Sequence, residues 1–209
     1  MNIKFLLQII SHIVVRIIVI PFLILRYKFK LRYKIKLKHY KNGFYTSNHQ
    51  SLVDPPLIGI FSPKTLFFVA KKELFKNIII GFFLKIAGAL PINRAVFDKK
   101  TLFKIIGLIK DNYSVLMFPE GTRSRGNRFL NAKPGIGYLV KEANFPSIIP
   151  VKIWNSKNAL DNILKLKRPE IILTYGRPFC INKYYNWGKK GSEKYRNISR
   201  YILERIKKV

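Results

Sequence analysis

A histidine and an aspartate lie five residues apart in the segment Asn48-His49-Gln50-Ser51-Leu52-Val53-Asp54. An imidazole with an ordinary pKa of about 6.5 suits proton transfer near neutral pH. A carboxylate at that spacing can fold back onto one ring nitrogen. It then fixes the tautomer and stabilises the imidazolium formed when the other nitrogen takes a proton. No serine has to complete the set if the attacking hydroxyl belongs to a substrate. Plainer readings stay open. Asp54, followed by Pro55, suits the cap and first turn of a helix, and His49 can be an ordinary loop histidine.

Three more segments carry chemistry or border on it. Phe118-Pro119-Glu120-Gly121-Thr122-Arg123-Ser124 opens a loop that also holds Arg125 and Arg128. Guanidinium forks bind phosphate oxygens two at a time, and Gly121 lets backbone come close to a ligand. A solvated basic loop is the alternative. Gly88-Ala89-Leu90-Pro91-Ile92-Asn93-Arg94 sends Arg94 off the end of an apolar run. Ile149-Pro150-Val151, taken alone, is only an apolar strand. The single cysteine, Cys180, excludes an internal disulfide and a cysteine-based zinc cluster. No histidine lies near it in sequence to activate it as a nucleophile. No metal or other cofactor is called for.

The elements that must position these groups alternate. Apolar runs predict strands at Phe44 to Ser47, Thr65 to Ala70, Ala89 to Ile92, Tyr113 to Phe118, Ile148 to Trp154 and Ile171 to Tyr175. Helical periodicity predicts a helix from Asp54. It predicts others over Lys71 to Ala87, with a break near Asn77 or Gly81, Phe97 to Lys110 and Pro134 to Ala143. A last helix, Ser192 to Lys208, should turn Tyr195, Ile198, Ile202 and Ile206 inward. Strands alternating with helices imply an α/β fold: a largely parallel, twisted sheet flanked by helices. His49, Arg94 and Glu120 then all leave strand ends, where α/β sheets place their ligands.

The chain's start differs from its body. Phe5 to Leu25 is nearly all apolar, and its polar interruptions, with Lys4, fall at 4, 8, 11, 12 and 16, on one side of a helix. That pattern predicts a helix lying in a membrane surface, kinked at Pro21, ahead of one that spans. A core helix would need a partner for Arg16, and no small-residue cleavage site marks a signal peptide. From Arg26 to Lys38 basic and apolar residues alternate, predicting a strand with one basic face. Residues 1–25 are therefore expected to form an N-terminal membrane-associating segment, and residues 26–209 the globular domain.

Forty Lys and Arg against ten acids give a net charge of +30, and no acid precedes Asp54 whereas ten basic residues do. With 48% hydrophobic residues the chain is not disordered. Nucleic acid, an anionic membrane and an acidic partner or phosphorylated substrate all fit such a charge. A nucleic-acid binder would account for the charge and aromatics, and a non-catalytic membrane adaptor for the start of the chain. Neither accounts for the Phe118 to Ser124 segment.

Together the four segments resemble the glycerolipid acyltransferase family that includes 1-acylglycerol-3-phosphate acyltransferases. That family carries N-H-x-x-x-x-D, a Gly-rich segment ending in Arg, F-P-E-G-T-R-S, and an apolar segment with a central Pro. All four stand here in that order within residues 48 to 151. Asn93 departs from an Asp common in the family. The resemblance implies His49 as the base and Asp54 as its partner. It puts Arg94, Glu120, Gly121, Thr122 and Arg123 at the phosphate and glycerol of the acceptor, with Pro150 lining the acyl or acceptor site. It implies direct transfer from acyl carrier protein or acyl-CoA to the sn-2 hydroxyl of 1-acylglycerol 3-phosphate. Another lysophospholipid or a lyso-aminolipid is the alternative acceptor. The expected place is an anionic membrane surface, on the cytoplasmic face of the inner membrane, with no nucleic-acid partner. Oxyanion donors are not legible; an amide near the helix starting at Asp54 is the nearest source.

Overall fold

The apolar runs bury both of their faces, which is why they read as continuous rather than alternating. In the computed structural model, which describes residues 17, 20, 21, 24–92, 99–124, 128–157, 159, 168–182, 187 and 191–209, the strands are β1 (Lys28–Tyr33), β2 (Phe44–Ser47), β3 (Leu66–Lys71), β4 (Ala89–Ile92), β5 (Ser114–Met117), β6 (Ile148–Trp154) and β7 (Glu170–Tyr175). They form a seven-stranded sheet in the order β1-β7-β6-β2-β5-β3-β4. All neighbours are parallel except β6 and β7, where Val151 faces Tyr175 in antiparallel register. The helices are α1 (Asp54–Phe61), α2 (Ile78–Ile86), α3 (Lys99–Lys110), α4 (Gly135–Glu142) and α5 (Ser192–Lys207).

Successive strand residues feed opposite cores, as a period of two requires. Tyr45, Phe68, Leu116 and Ile149 join α1 residues Leu57 and Ile58 on one face. Phe44, Phe67, Val115 and Ile148 join α3, α4 and α5 on the other. Burying each such side chain stabilises the fold by about 1.5–3 kcal/mol. Gly137 of α4 meets α5 so closely that a Cβ there would lie 2.0 Å from the Tyr195 carbonyl oxygen.

Some expectations need correction. The basic alternation continues to Lys38, but β1 stops at Tyr33 because its partner β7 stops at Tyr175. Leu37–His39 forms a 3-10 turn instead. The segment after β3 breaks at Asn77, one of the two expected places, but its first part, Lys72–Lys76, is a 3-10 helix ahead of α2. Val53, not Asp54, is the N-cap of α1, and no side chain caps that end. Tyr195 is only half-buried, its ring edge-on to Tyr138 at 5.4 Å between centroids.

The expected N-terminal membrane helix falls mostly outside the described residues. Of it, Ile17, Ile20, Pro21, Ile24 and Leu25 are described and helical. Ile17, Ile24 and Leu25 are 69%, 52% and 68% exposed. Among the described residues no helix is long and apolar enough to cross a membrane.

Candidate active site

Strands β2, β3, β4, β5 and β6 run in one direction, so their C-terminal ends share one edge of the sheet. At the end of β2, Asn48 stitches the chain to β6 with its side chain. Its Nδ2 donates to the Ile153 carbonyl at 2.8 Å, and its Oδ1 accepts from the Ile153 amide at 2.9 Å. The next residue, His49, is held at three points. Its amide donates to Glu120 Oε1 at 3.0 Å. Its carbonyl accepts from the Ser124 amide and hydroxyl at 2.8 and 3.1 Å. Its ring stacks on Phe118, with centroids 4.1 Å apart and planes 21° from parallel. The Phe118 to Ser124 segment thus wraps the histidine that lies some seventy residues earlier.

His49 Nδ1 meets Asp54 Oδ2 at 2.8 Å. Asp54 is fully buried. Its Oδ2 also accepts from the amides of Gln50 at 2.6 Å and Ser51 at 2.7 Å, and its Oδ1 from the Ser156 hydroxyl at 2.5 Å. Four donors around one carboxyl is the surrounding of an ionised, accept-only group. Nδ1 therefore carries the proton, and Nε2 keeps its lone pair for a substrate. Several amides near the α1 start already have partners. The amides of Gln50 and Ser51 are spent on Asp54, that of Asp54 on the Ser51 carbonyl, and that of His49 on Glu120.

Glu120 is 1% exposed. Each carboxylate oxygen holds a backbone amide: Oε1 that of His49, and Oε2 that of Leu130 at 2.8 Å. Burial pushes its pKa above the ordinary carboxylate value. The two amides, and His49 when its ring is protonated, pull it back, and the nearby Asp54 charge adds to the rise. Just past Glu120 the chain turns outward. Gly121 has φ +65°, and a Cβ there would lie 2.9 Å from Lys133 Cδ, so a side chain at this position would be strained and would push Lys133 aside. Gly121, Thr122, Arg123 and Arg128 are exposed beside the buried dyad. Arg94 and Arg125 lie outside the described residues. Pro150 is buried inside β6, facing Thr46 in register, with its carbonyl taken by the Gly176 amide at 2.8 Å.

A family model described as Acyltransferase matches residues 28–154. The chain belongs to the acyltransferase family. The 1-acyl-sn-glycerol-3-phosphate acyltransferase of Streptococcus pneumoniae is 28% identical over 168 residues, covering 79% of this chain and 61% of that protein. The protein of the same name from Escherichia coli is 31% identical over 161 residues, covering 75% and 64%. The chain thus spans less than two thirds of these relatives' length. The crystal structure of the 1-acyl-sn-glycerophosphate (LPA) acyltransferase from Thermotoga maritima superposes with a TM-score of 0.66 at 24% identity, over 88% of this chain and 71% of that one. That likeness speaks to the fold, a mostly parallel sheet flanked by helices.

Within this acyltransferase domain, the region matched to the family contains His49, Asp54, Glu120, the exposed rim and Pro150. The structure joins His49, Asp54 and Glu120 directly. No hydrogen bond among the described residues links Pro150 to them. Sequence reasoning missed Ser156, two residues beyond the matched region. Its one local signal is its place just after a buried strand on the edge that carries His49. The grip of Ser124 and the stacking of Phe118 were also missed, though both sit in a segment singled out for other reasons.

Proposed function

We propose that this chain transfers a fatty acyl group from an acyl thioester to the free sn-2 hydroxyl of 1-acylglycerol 3-phosphate, giving phosphatidic acid for phospholipid synthesis. The observation that carries the reading is the His49–Asp54 pair: a buried carboxylate fixes Nδ1 as donor and leaves Nε2 as the base. His49 takes the proton of the acceptor hydroxyl as its oxygen attacks the thioester carbonyl. A new ester forms, the carbon–sulfur bond breaks, and the thiolate leaves with the proton returned by imidazolium or water. Base assistance of this kind is worth roughly 100- to 10,000-fold. The names of the relatives support this acceptor. Coenzyme A and acyl carrier protein are both chemically competent donors.

In this reading Gly121, Thr122, Arg123 and Arg94 receive the phosphate and glycerol of the acceptor, and Pro150 backs the acyl or acceptor site from within the sheet. Glu120 acts on the same site through the backbone it holds.

The reaction takes place on an anionic membrane, in the proposal at the cytoplasmic face of the inner membrane. Because β7 is antiparallel to β6 and β1 parallel to β7, the residues before β1 lie at the same edge as His49. Leu25 is 68% exposed, Leu52 of the catalytic loop 53%, and Ile78, at the start of α2, 88%. Lys28, Lys71, Lys72, Lys76 and Arg123 are exposed along that edge. Each basic residue near an anionic leaflet adds about 1 kcal/mol of attraction, and apolar tips among them gain by entering lipid. Residues 1–25 act in this reading as the membrane-associating segment before an acyltransferase domain of residues 26–209.

The test is transfer by the full chain in anionic vesicles, with 1-acylglycerol 3-phosphate and glycerol 3-phosphate offered separately and each thioester in turn. Diacyl product that disappears with His49→Ala, while vesicle binding persists, is the expected result. Undiminished turnover in His49→Ala would overturn the mechanism. Product from glycerol 3-phosphate alone would overturn the acceptor.

A further inference from the structure

We infer that Ser156 is a positioning residue for acyl transfer, its hydroxyl setting the orientation of the carboxylate that holds His49. The inference rests on the reading of His49 as the base.

Ser156 is fully buried, and its Oγ lies 2.5 Å from Asp54 Oδ1, the length of a hydroxyl bonded to an ionised oxygen. The other oxygen, Oδ2, takes the His49 ring and two loop amides. Those three donors all come from residues 49 to 51 and pin a single atom. A carboxylate held by one oxygen still turns about its Cβ–Cγ bond. A second grip, on Oδ1 and from a different part of the chain, fixes its plane and so the lone pair offered to Nδ1. Ser156 supplies that grip from 102 residues away.

The position of Ser156 is itself well determined. It follows β6, whose Ile153 is tied to Asn48 by two hydrogen bonds beside the catalytic loop. Asn155, with φ +63°, turns the chain so that Ser156 points back under Asp54. The tight turn that follows uses the Ser156 carbonyl, which accepts from the Ala159 amide at 3.0 Å. The hydroxyl is therefore not spent on the turn. Its single proton goes to Asp54, and Gln50 Oε1 at 3.4 Å is the next polar atom beside it. A hydrogen bond to a charged group carries an effect equivalent to roughly tenfold to 100-fold.

The experiment measures kcat and both KM values on the full chain in anionic vesicles for Ser156→Ala, Ser156→Cys and Ser156→Thr, with His49→Ala alongside. Urea midpoints establish that each variant is folded. Ser156→Ala is expected to lose roughly tenfold to 100-fold in kcat, with both KM values unchanged. Ser156→Cys, which keeps the size with a weaker donor, falls between. Ser156→Thr, which keeps the hydroxyl, recovers most of the rate. If Ser156→Ala does not fold, the Cys and Thr variants carry the same comparison. Wild-type kcat in Ser156→Ala or Ser156→Cys, with His49→Ala inactive, overturns the role of Ser156 and leaves the base intact. Losses that follow the urea midpoints and raise KM, with no recovery by Thr, overturn it in favour of a purely structural hydroxyl. Turnover that survives His49→Ala removes the base reading itself, and the inference with it.

Discussion

The segment from Phe118 to Ser124 divides into an inner and an outer part. Phe118, Glu120 and Ser124 face inward and grip His49 by stacking and by three hydrogen bonds. Gly121, Thr122 and Arg123, in the middle of the same segment, stand in solvent. The inner contacts are made within the protein itself, so they contribute to its stability and, in the proposed mechanism, hold the base in place. In the proposed function the outer residues meet the acceptor, and there they would contribute only when it binds. A single motif therefore serves two separable energetic ends, and substitutions should split along that line.

The inner half should fail hardest at the dyad. Asp54→Asn removes the negative charge and turns one of the two accepting oxygens into an NH2 donor, so the side chain can no longer accept from both the His49 ring with its two neighbouring amides and Ser156. It is expected to lower kcat roughly 100- to 10,000-fold, the range of general-base assistance, with KM for the acceptor little changed. Steady-state kinetics on anionic vesicles read this directly. Glu120→Ala comes next. It strands the buried amide of His49 and the partly buried amide of Leu130, at about 1–3 kcal/mol each. Urea unfolding should report a loss of about 2–6 kcal/mol on that basis, together with a fall in kcat as the histidine loosens. A variant that kept its stability while binding acceptor poorly would put Glu120 with the outer half.

Much of this arrangement was legible in the residues, and the rest failed for physical reasons. The bounds of β2, β4 and β6 follow from short apolar runs bounded by polar or turn residues, and the start of α1 from Asp54 before two prolines. Both kinds of signal are local. The length of β1 was not legible, because a strand extends only as far as its neighbour, and β7 is far away in sequence. The His49–Asp54 pair could be read because five residues separate the partners. Ser156 could not, since its partner is 102 residues distant and a lone serine after a strand has no pattern. The work of Glu120 was hidden for a different reason. It binds main-chain amides, which every residue except proline possesses and no sequence distinguishes.

The outer half should give smaller and different effects. Arg123 is exposed. Arg123→Ala is expected to leave stability within about 0.5 kcal/mol and to raise KM for a phosphate-bearing acceptor about tenfold, the worth of one charge-assisted contact. An uncharged monoacylglycerol should show no such change. Equal KM shifts for both acceptors would mean that Arg123 does not read the phosphate.

The smallest effect tests the inner half by pH. Burial raises the pKa of Glu120 in the folded protein above its ordinary value of 4.5. The folded chain then holds that proton more tightly than the unfolded chain, so this group favours folding most in acid. As pH rises past about 4.5 the unfolded carboxyl ionises first, and stability drains away until Glu120 ionises inside the fold as well. Beyond that point the contribution is constant. Other groups titrate in the same range, so the useful quantity is a difference. The unfolding free energy of the wild type minus that of Glu120→Gln, from urea titrations between about pH 4 and 7, should be largest at the acid end and shrink as pH rises. A difference that grew with pH would mean that the amides of His49 and Leu130 outweigh burial and that the ionised form is the one the fold prefers. The grip on His49 would then tighten with pH rather than merely survive it.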